Sequence, residues 1–472
     1  MGVDRRTLPP PGDPPPARFP EIGRETLAGG TRLWTAPHRD QALVSVTLLL
    51  PAGSAADPPG AEGLAGFTAA LLDEGTLSRP GMRLHEALGR IGGRLAADVT
   101  SDATILSVSA LSRYARDALA LLVEMATEPR FDPADVDRVR AIRLNRIAQR
   151  RHVAGAVADR AHLKVLYGSH PYGHPPIGEE RALGGLGTDD VRAFHTAHYG
   201  PARWTVIAVG AADVVATADL VGALGRSANR RAAGARRGAG ASEAAPPAGH
   251  DGARCGTGEP GVPGAPPVPA TRLTFIAREG AVQSEIRIGQ LGVARRVSDY
   301  PAIALMNMVL GGQFVSRLNL NLREARGYTY GVGTAFDARR GRGPFTLRTA
   351  VDAGVTVEAV REAIREVCEI RDIRPVTEDE LEVARPALTR GFARNFETAA
   401  QVARGAMRLA MYDLPDDEYA TFVPRVAAVD AEQVTRAASR HLDPDALSVV
   451  VVGPPEVRPS LGRLGLGEPV EP

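Results

Sequence analysis

Arg323 and Tyr330 are the residues of this chain whose types and spacing best suit chemistry on a peptide. They lie seven positions apart in the stretch 311–330. Arg offers a planar fork of donors to carbonyls, and Tyr offers one donor at the end of a stiff ring. Held on two packed elements, both could reach one extended peptide. On spacing alone the same pair reads more readily as a surface Arg and a core-edge Tyr. The histidines offer less. His195 and His198 form a His-x-x-His on a predicted helix with no Glu base between them, and His170 and His174 flank a Pro-Tyr-Gly turn. Ten histidines scattered over 472 residues produce such pairs by chance. Asp73 and Glu74, near the end of another predicted helix, read as solvated carboxylates. The sequence holds no P-loop, no Gly-x-Gly-x-x-Gly opening a helix and no Gly-x-Ser-x-Gly elbow.

The local pattern says how Arg323 and Tyr330 would be held. Gly311 and Gly312 suit a turn or a close backbone approach. A helix is predicted from about Phe314, with Val315, Leu318 and Leu322 as one apolar stripe. Gly327 stands where a helix C-cap glycine belongs. Tyr328, Tyr330 and Val332 then alternate with small residues, as in a strand.

The run GGQFVSRLNLNLREARGYTYGV resembles the C-terminal-half signature of the pitrilysin/insulinase-like (inverzincin) zinc metallopeptidases, which include the mitochondrial processing peptidase. The resemblance implies that Arg323 and Tyr330 bind the substrate backbone. It also implies a duplicated α+β fold, two domains that each form a mostly antiparallel or mixed sheet covered by helices. It extends over nearly all of 25–460.

The family's zinc site is another matter. Inverzincins carry His-x-x-Glu-His on a helix, where two His at i and i+4 bind one Zn²⁺ and the Glu activates its water. The matching segment here is Gly63-Leu64-Ala65-Gly66-Phe67-Thr68-Ala69-Ala70. Gly66 stands for the first His, Ala69 for the Glu and Ala70 for the second His. The third ligand, a Glu on a downstream helix, falls near Arg146. No metal and no catalytic residue is therefore expected in this chain's own degenerate site.

Some two-chain members of the family divide the labour. One chain carries the zinc motif, and the other supplies the Arg/Tyr pair and half of a closed chamber. This sequence has the second set without the first. The resemblance thus implies a non-catalytic subunit of a heterodimeric peptidase acting on short or unfolded peptides, inactive alone, with the zinc in a homologous partner subunit. The alternative is a catalytically inactive scaffold or peptide-binding protein of the same fold.

Composition bounds the rest. At 472 residues the chain is too long for one ordinary core. With 56 basic and 55 acidic residues, nothing favours nucleic acid or an anionic membrane as partner. Cys255 and Cys368 are the only cysteines, so no disulfide framework arises. No apolar run approaches the roughly 20 residues of a membrane span. The opening Met-Gly-Val-Asp-Arg-Arg lacks the apolar core of a signal peptide, and Arg6 stands where a myristoylation motif wants Ser or Thr. A cytoplasmic protein is expected, or a periplasmic one if the start site is misassigned.

Five segments follow from the pattern. Residues 1–24 are a Pro-rich lead-in expected to be disordered, and 25–225 form an N-terminal peptidase-like domain. Residues 226–268 are a Gly/Ala/Pro/Arg-rich linker. Residues 269–460 form the second domain, and 461–472 a tail. Each domain ends in an apolar strand, WTVIAVGA and LSVVVVGP. One long helix is predicted from Asp132 to about Tyr167, and a second long run over 377–411. The order strand, helix, strands, helix, long helix, helix, strand occurs twice, which indicates an internal duplication.

Overall fold

The computed structural model describes residues 18–38, 42–213, 263–266 and 272–471. Most of the lead-in, most of the linker and the end of the expected 25–225 domain lie outside them.

The strands are apolar, β-branched runs set off by turns. Six of them, β1 (Gly23–Thr26), β2 (Arg32–Pro37), β3 (Leu43–Leu50), β4 (Arg94–Val99), β5 (Thr104–Leu111) and β6 (Thr205–Gly210), form one sheet in the order β1-β2-β6-β3-β5-β4. The other five, β7 (Leu273–Ala277), β8 (Gln283–Leu291), β9 (Val332–Phe336), β10 (Pro344–Asp352) and β11 (Ser448–Gly453), form a second sheet, β7-β11-β8-β10-β9. Without β1 the two orders correspond strand for strand. The one parallel pair also corresponds, β2 beside β6 and β7 beside β11. The last strand of each half is thus threaded into its sheet's interior. Its sequence fits that place, because β6 and β11 are buried at every residue. The expected α+β duplication is what the chain folds into.

The helices differ from expectation at one informative place in each half. The long helix foreseen to Tyr167 is two helices, Pro133–Arg151 and Ala154–Tyr167. The first starts as its sequence requires, with Pro133 in the first turn and Asp132 accepting from the Ala134 amide at 3.1 Å. The long run in the second half is likewise Glu378–Thr389 and Ala399–Tyr412, separated by a 3₁₀ turn. In each half the second helix leaves its own sheet. Ala154–Tyr167 packs on β8 and β11 of the other half. In return, Val402, Ala406 and Leu409 join Trp34, Leu49, Ile207 and Val209 of the first sheet in one buried cluster. Each sheet thus has a face covered by a helix from its counterpart.

Polar ties fix the exchange. Arg287 on β8 donates to Asp159 at 2.7 Å and to the Gly155 carbonyl at 3.1 Å. Tyr172 donates to Asp102, whose other oxygen accepts from the Arg340 amide at 2.9 Å. At the C-terminus, Val470 exchanges backbone hydrogen bonds with Leu273 and Phe275, beside β7. Among the described residues, no helix is long and apolar enough to cross a membrane.

Candidate functional site

The helix matched to the zinc motif is short, Leu64–Ala70, and ends before Asp73 and Glu74, which were expected near its end. Gly63, with φ of +108°, turns the chain into it. Asp57 caps it from a fully buried position, accepting from the Gly63 amide at 2.7 Å and the Ala65 amide at 2.6 Å. His174 lies 3.0 Å from the same carboxylate.

Gly66 has no room for any side chain. A Cβ there would stand 2.2 Å from the Pro176 carbonyl oxygen and 2.7 Å from Nη2 of Arg143. Arg143 enters from the helix Pro133–Arg151. Its Nη1 donates to the Gly66 carbonyl at 3.0 Å, and its Nη2 to the carbonyls of Pro176 and Ile177, both at 2.9 Å. Burial lowers the Arg143 pKa to about 10, the like charge of Arg146 adds to this, and Asp57 opposes it. Arg146 itself, the position matched to the third ligand, is exposed. Sequence reasoning passed over Arg143. The signal was there, since Val136, Val139, Arg143 and Ile147 are the buried residues of that helix, a cation set in an apolar stripe.

A zinc ion does not fit these residues. Gly66, Ala69 and Ala70 carry no donor, the first cannot gain one without displacing the 176–177 backbone, and a guanidinium lies against it. Among the described residues, no three His, Cys, Asp or Glu are grouped to hold a metal ion. The two histidine pairs are separately engaged. His195 meets the Ala126 carbonyl at 2.8 Å, and His170 that of Gly264 at 2.8 Å. His198 is half-buried with its pKa lowered, chiefly by burial and then by Arg203. Glu74 pairs with Arg138, whereas Asp73 is held above its ordinary carboxylate range by burial and by Glu74.

The stretch 311–330 has a different character. Its glycine pair serves close approach, since a Cβ on Gly311 would lie 2.7 Å from the Thr334 side chain and one on Gly312 2.6 Å from Asn307 Nδ2. The helical part begins at Arg317 rather than Phe314, and winds into wider π-type turns over Asn319–Ala325. Leu318 and Leu322 are fully buried, but Val315 is exposed and drops out of the expected stripe. Gly327 ends the helix with φ of +66°.

Tyr328 and Tyr330 precede the strand instead of lying in it, because β9 begins only at Val332. The reason lies in side chains that take the backbone groups a strand would have paired. The Thr329 hydroxyl accepts from the Gly331 amide at 3.1 Å, and the Thr349 hydroxyl donates to the Gly331 carbonyl at 3.1 Å.

Two residues not singled out beforehand hold this stretch. Asn319 donates to the carbonyls of Gln313 at 3.2 Å and Val332 at 2.8 Å, and accepts from the Val332 amide at 3.1 Å. It fastens the loop carrying Phe314 to the segment that follows Tyr330. Arg317 makes a bidentate pair with Glu380, at 2.6 and 2.7 Å. On this support Arg323 lies over the Phe314 ring, 3.4 Å from its centroid, and pairs with Glu324. Its Nη1 is buried without a hydrogen-bond partner. Tyr330 is 95% exposed.

Comparisons with known proteins agree with this architecture. The family described as Insulinase (Peptidase family M16) matches residues 35–175, and that described as Peptidase M16 inactive domain matches 186–388. An uncharacterized zinc protease of Mycobacterium tuberculosis is 28% identical over 448 residues, 94% of this chain and 95% of that one. A probable mitochondrial-processing peptidase subunit beta of Arabidopsis thaliana is 24% identical over 193 residues, 41% of this chain and 36% of that protein. The solved structure of a peptidase M16 inactive domain from Pseudomonas fluorescens superposes with a TM-score of 0.77 at 24% identity, covering 92% of this chain and 98% of that one. Matched across both halves by the family's two descriptions, and sharing its duplicated fold, the chain belongs to the insulinase-like peptidase family, M16.

Proposed function

We propose that this chain is the non-catalytic subunit of a two-chain insulinase-like peptidase, and that it contributes Arg323 and Tyr330 to a substrate chamber shared with a zinc-bearing homologue. One contrast carries the reading. Nη1 and Nη2 of Arg143 are spent on the protein's own carbonyls inside the fold, whereas Arg323 stands beside a Tyr330 that is open to solvent. A phenol that is open to solvent can donate to a ligand without first giving up a bond within the protein.

In this reading Arg323 donates to a carbonyl of an extended peptide. Its ring neighbour Phe314 keeps the guanidinium plane in place. Tyr330 donates to the carbonyl oxygen beside the scissile bond and steadies the negative charge that develops there. The metal and its water belong to the partner. The relative in Arabidopsis, whose name makes it one subunit of an assembly, supports the arrangement. A second reading, an inactive scaffold, is supported by the Glu324 pair and the Phe314 stack, which would also hold an Arg323 with no substrate.

The test is gentle affinity capture of the tagged chain from its native cells. A stoichiometric partner bearing His-x-x-Glu-His, with zinc and peptidase activity in the complex, is the expected result. A chain that emerges alone or as a homodimer, free of zinc, overturns the subunit reading in favour of the scaffold.

A further inference from the structure

The misfit between this chain and a metal has a positive side. We propose that Arg143 has taken over the metal's part as the internal tie of the first half, a guanidinium that joins three segments from within. The three are its own helix Pro133–Arg151, the helix Leu64–Ala70 through the Gly66 carbonyl, and the loop after Tyr167 through the carbonyls of Pro176 and Ile177. A metal ion gathers ligand side chains. This cation gathers carbonyls, which a planar fork of donors suits.

The surroundings are built around it. Gly66 lacks a Cβ, so that its backbone can approach both the Pro176 carbonyl and the guanidinium. Gly63 and Gly178 also meet closely, since a Cβ on Gly63 would lie 2.5 Å from the Gly178 Cα. The buried Asp57 holds Gly63, Ala65 and His174, and so fastens the same helix and the same loop from the other side. That loop runs on to the second half through Tyr172, which receives a hydrogen bond from the Gly341 amide at 3.2 Å. Arg143 therefore holds one end of a loop whose middle touches the other domain. The structure of the first half then needs no metal, and restoring His at 66 would collide with the backbone rather than rebuild the site.

Hydrogen exchange on the whole chain tests this, with or without a partner. The amides of Phe67, Gly178 and Glu179 report on the tie, being bonded to Gly63, Pro175 and Glu62. In Arg143→Met their exchange is expected to quicken by about 10- to 100-fold, the scale of a lost charged hydrogen-bond set, with β8 and β11 unchanged. Arg143→Lys, which keeps the charge but loses the fork, is expected to do the same more weakly, and decides alone if Arg143→Met does not fold. Chelator and equimolar Zn²⁺ are expected to leave the wild-type Tm and these amides unmoved. Unchanged protection at the three amides in the folded variants, quickening spread evenly over both halves, or stoichiometric zinc binding by the wild-type chain would each overturn the proposal.

Discussion

The neighbourhood of Gly66 and the stretch 311–330 occupy different halves of a duplicated fold, and they treat their polar groups in opposite ways. Around Gly66 the Nη1 and Nη2 of Arg143 are directed at backbone carbonyls, its Nε is left unpaired, and the side chains at 66, 69 and 70 are hydrogen or methyl. Around 311–330 the bonds are used to build a frame, through Asn319 and Arg317, and two donors are left over. The first arrangement ties the chain together from within, whereas a rigid frame that leaves a phenol exposed is suited to binding. On the proposed reading, the likeness of the two halves hides a division between a structural centre and a recognition surface.

The sharpest way to break that comparison is Tyr330→Phe. On the proposed subunit reading, it should cut the peptidase rate of the complex by about 10- to 1000-fold, the scale for one oxyanion donor. Stability should change by less than about 0.5 kcal/mol, because the residue is exposed. An unchanged rate in steady-state assays would remove Tyr330 from the recognition surface. Gly66→Ala probes the closed side. Its new Cβ meets a carbonyl at 2.2 Å, and urea unfolding should show a loss of about 1–3 kcal/mol from forced overpacking. Tolerance of alanine would mean that the centre is looser than its contacts suggest.

Asn319→Ala sharpens the comparison from the other region. It leaves the Val332 amide and two carbonyls without their partner and should cost about 1–2 kcal/mol. On the proposed reading, peptide binding should also weaken, since Phe314 and the segment before Val332 lose their link.

The smallest effect concerns what joins the two regions. His162, on the helix that crosses to the second sheet, is kept neutral. Burial first, then Arg287 and Arg348, lower its pKa to about 3. The unfolded chain then binds more protons, so this contribution is complete above the unfolded pKa near 6.5 and is lost as pH falls toward the folded value. Between pH 6.5 and 5.5 the loss should be about 1 kcal/mol, read as a fall in unfolding free energy. His162→Asn should lack that component. An identical pH dependence in both proteins would show that His162 does not titrate as its burial implies.

Much of this was legible in the chain. The alternation and β-branching of the strands, the caps at Asp132 and Thr377 and the left-handed Gly327 are local, and local rules found them. Arg323 and Tyr330 were picked out because a long motif surrounds them. The absence of donors at 66, 69 and 70 needed only a reading of residue types. Three of the misses show why the rest was not legible. The strand at Tyr328 and Tyr330 was misplaced because alternation counts side chains and cannot see Thr329 and Thr349 claiming the backbone. Val315 was placed in a buried stripe because the helix start was set two to three residues early. Arg143 was missed because a cation in an apolar stripe reads as a surface residue until three carbonyls are found opposite it.

The sequence by itself determined the duplicated order of elements, through patterns that are local, and its resemblance to the family singled out Arg323, Tyr330 and the absence of metal-binding side chains at 66, 69 and 70. Only the tertiary structure decided which helix covers which sheet. Ala154–Tyr167 and Ala399–Tyr412 carry apolar faces, and hydrophobic burial has no direction of its own. What selects the partner sheet is the complementarity of distant groups, such as Arg287 with Asp159 and Gly155. The same holds at Gly66, where the choice between an ion and a guanidinium was made by residues 77 and 110 positions away, brought within 3 Å by the fold.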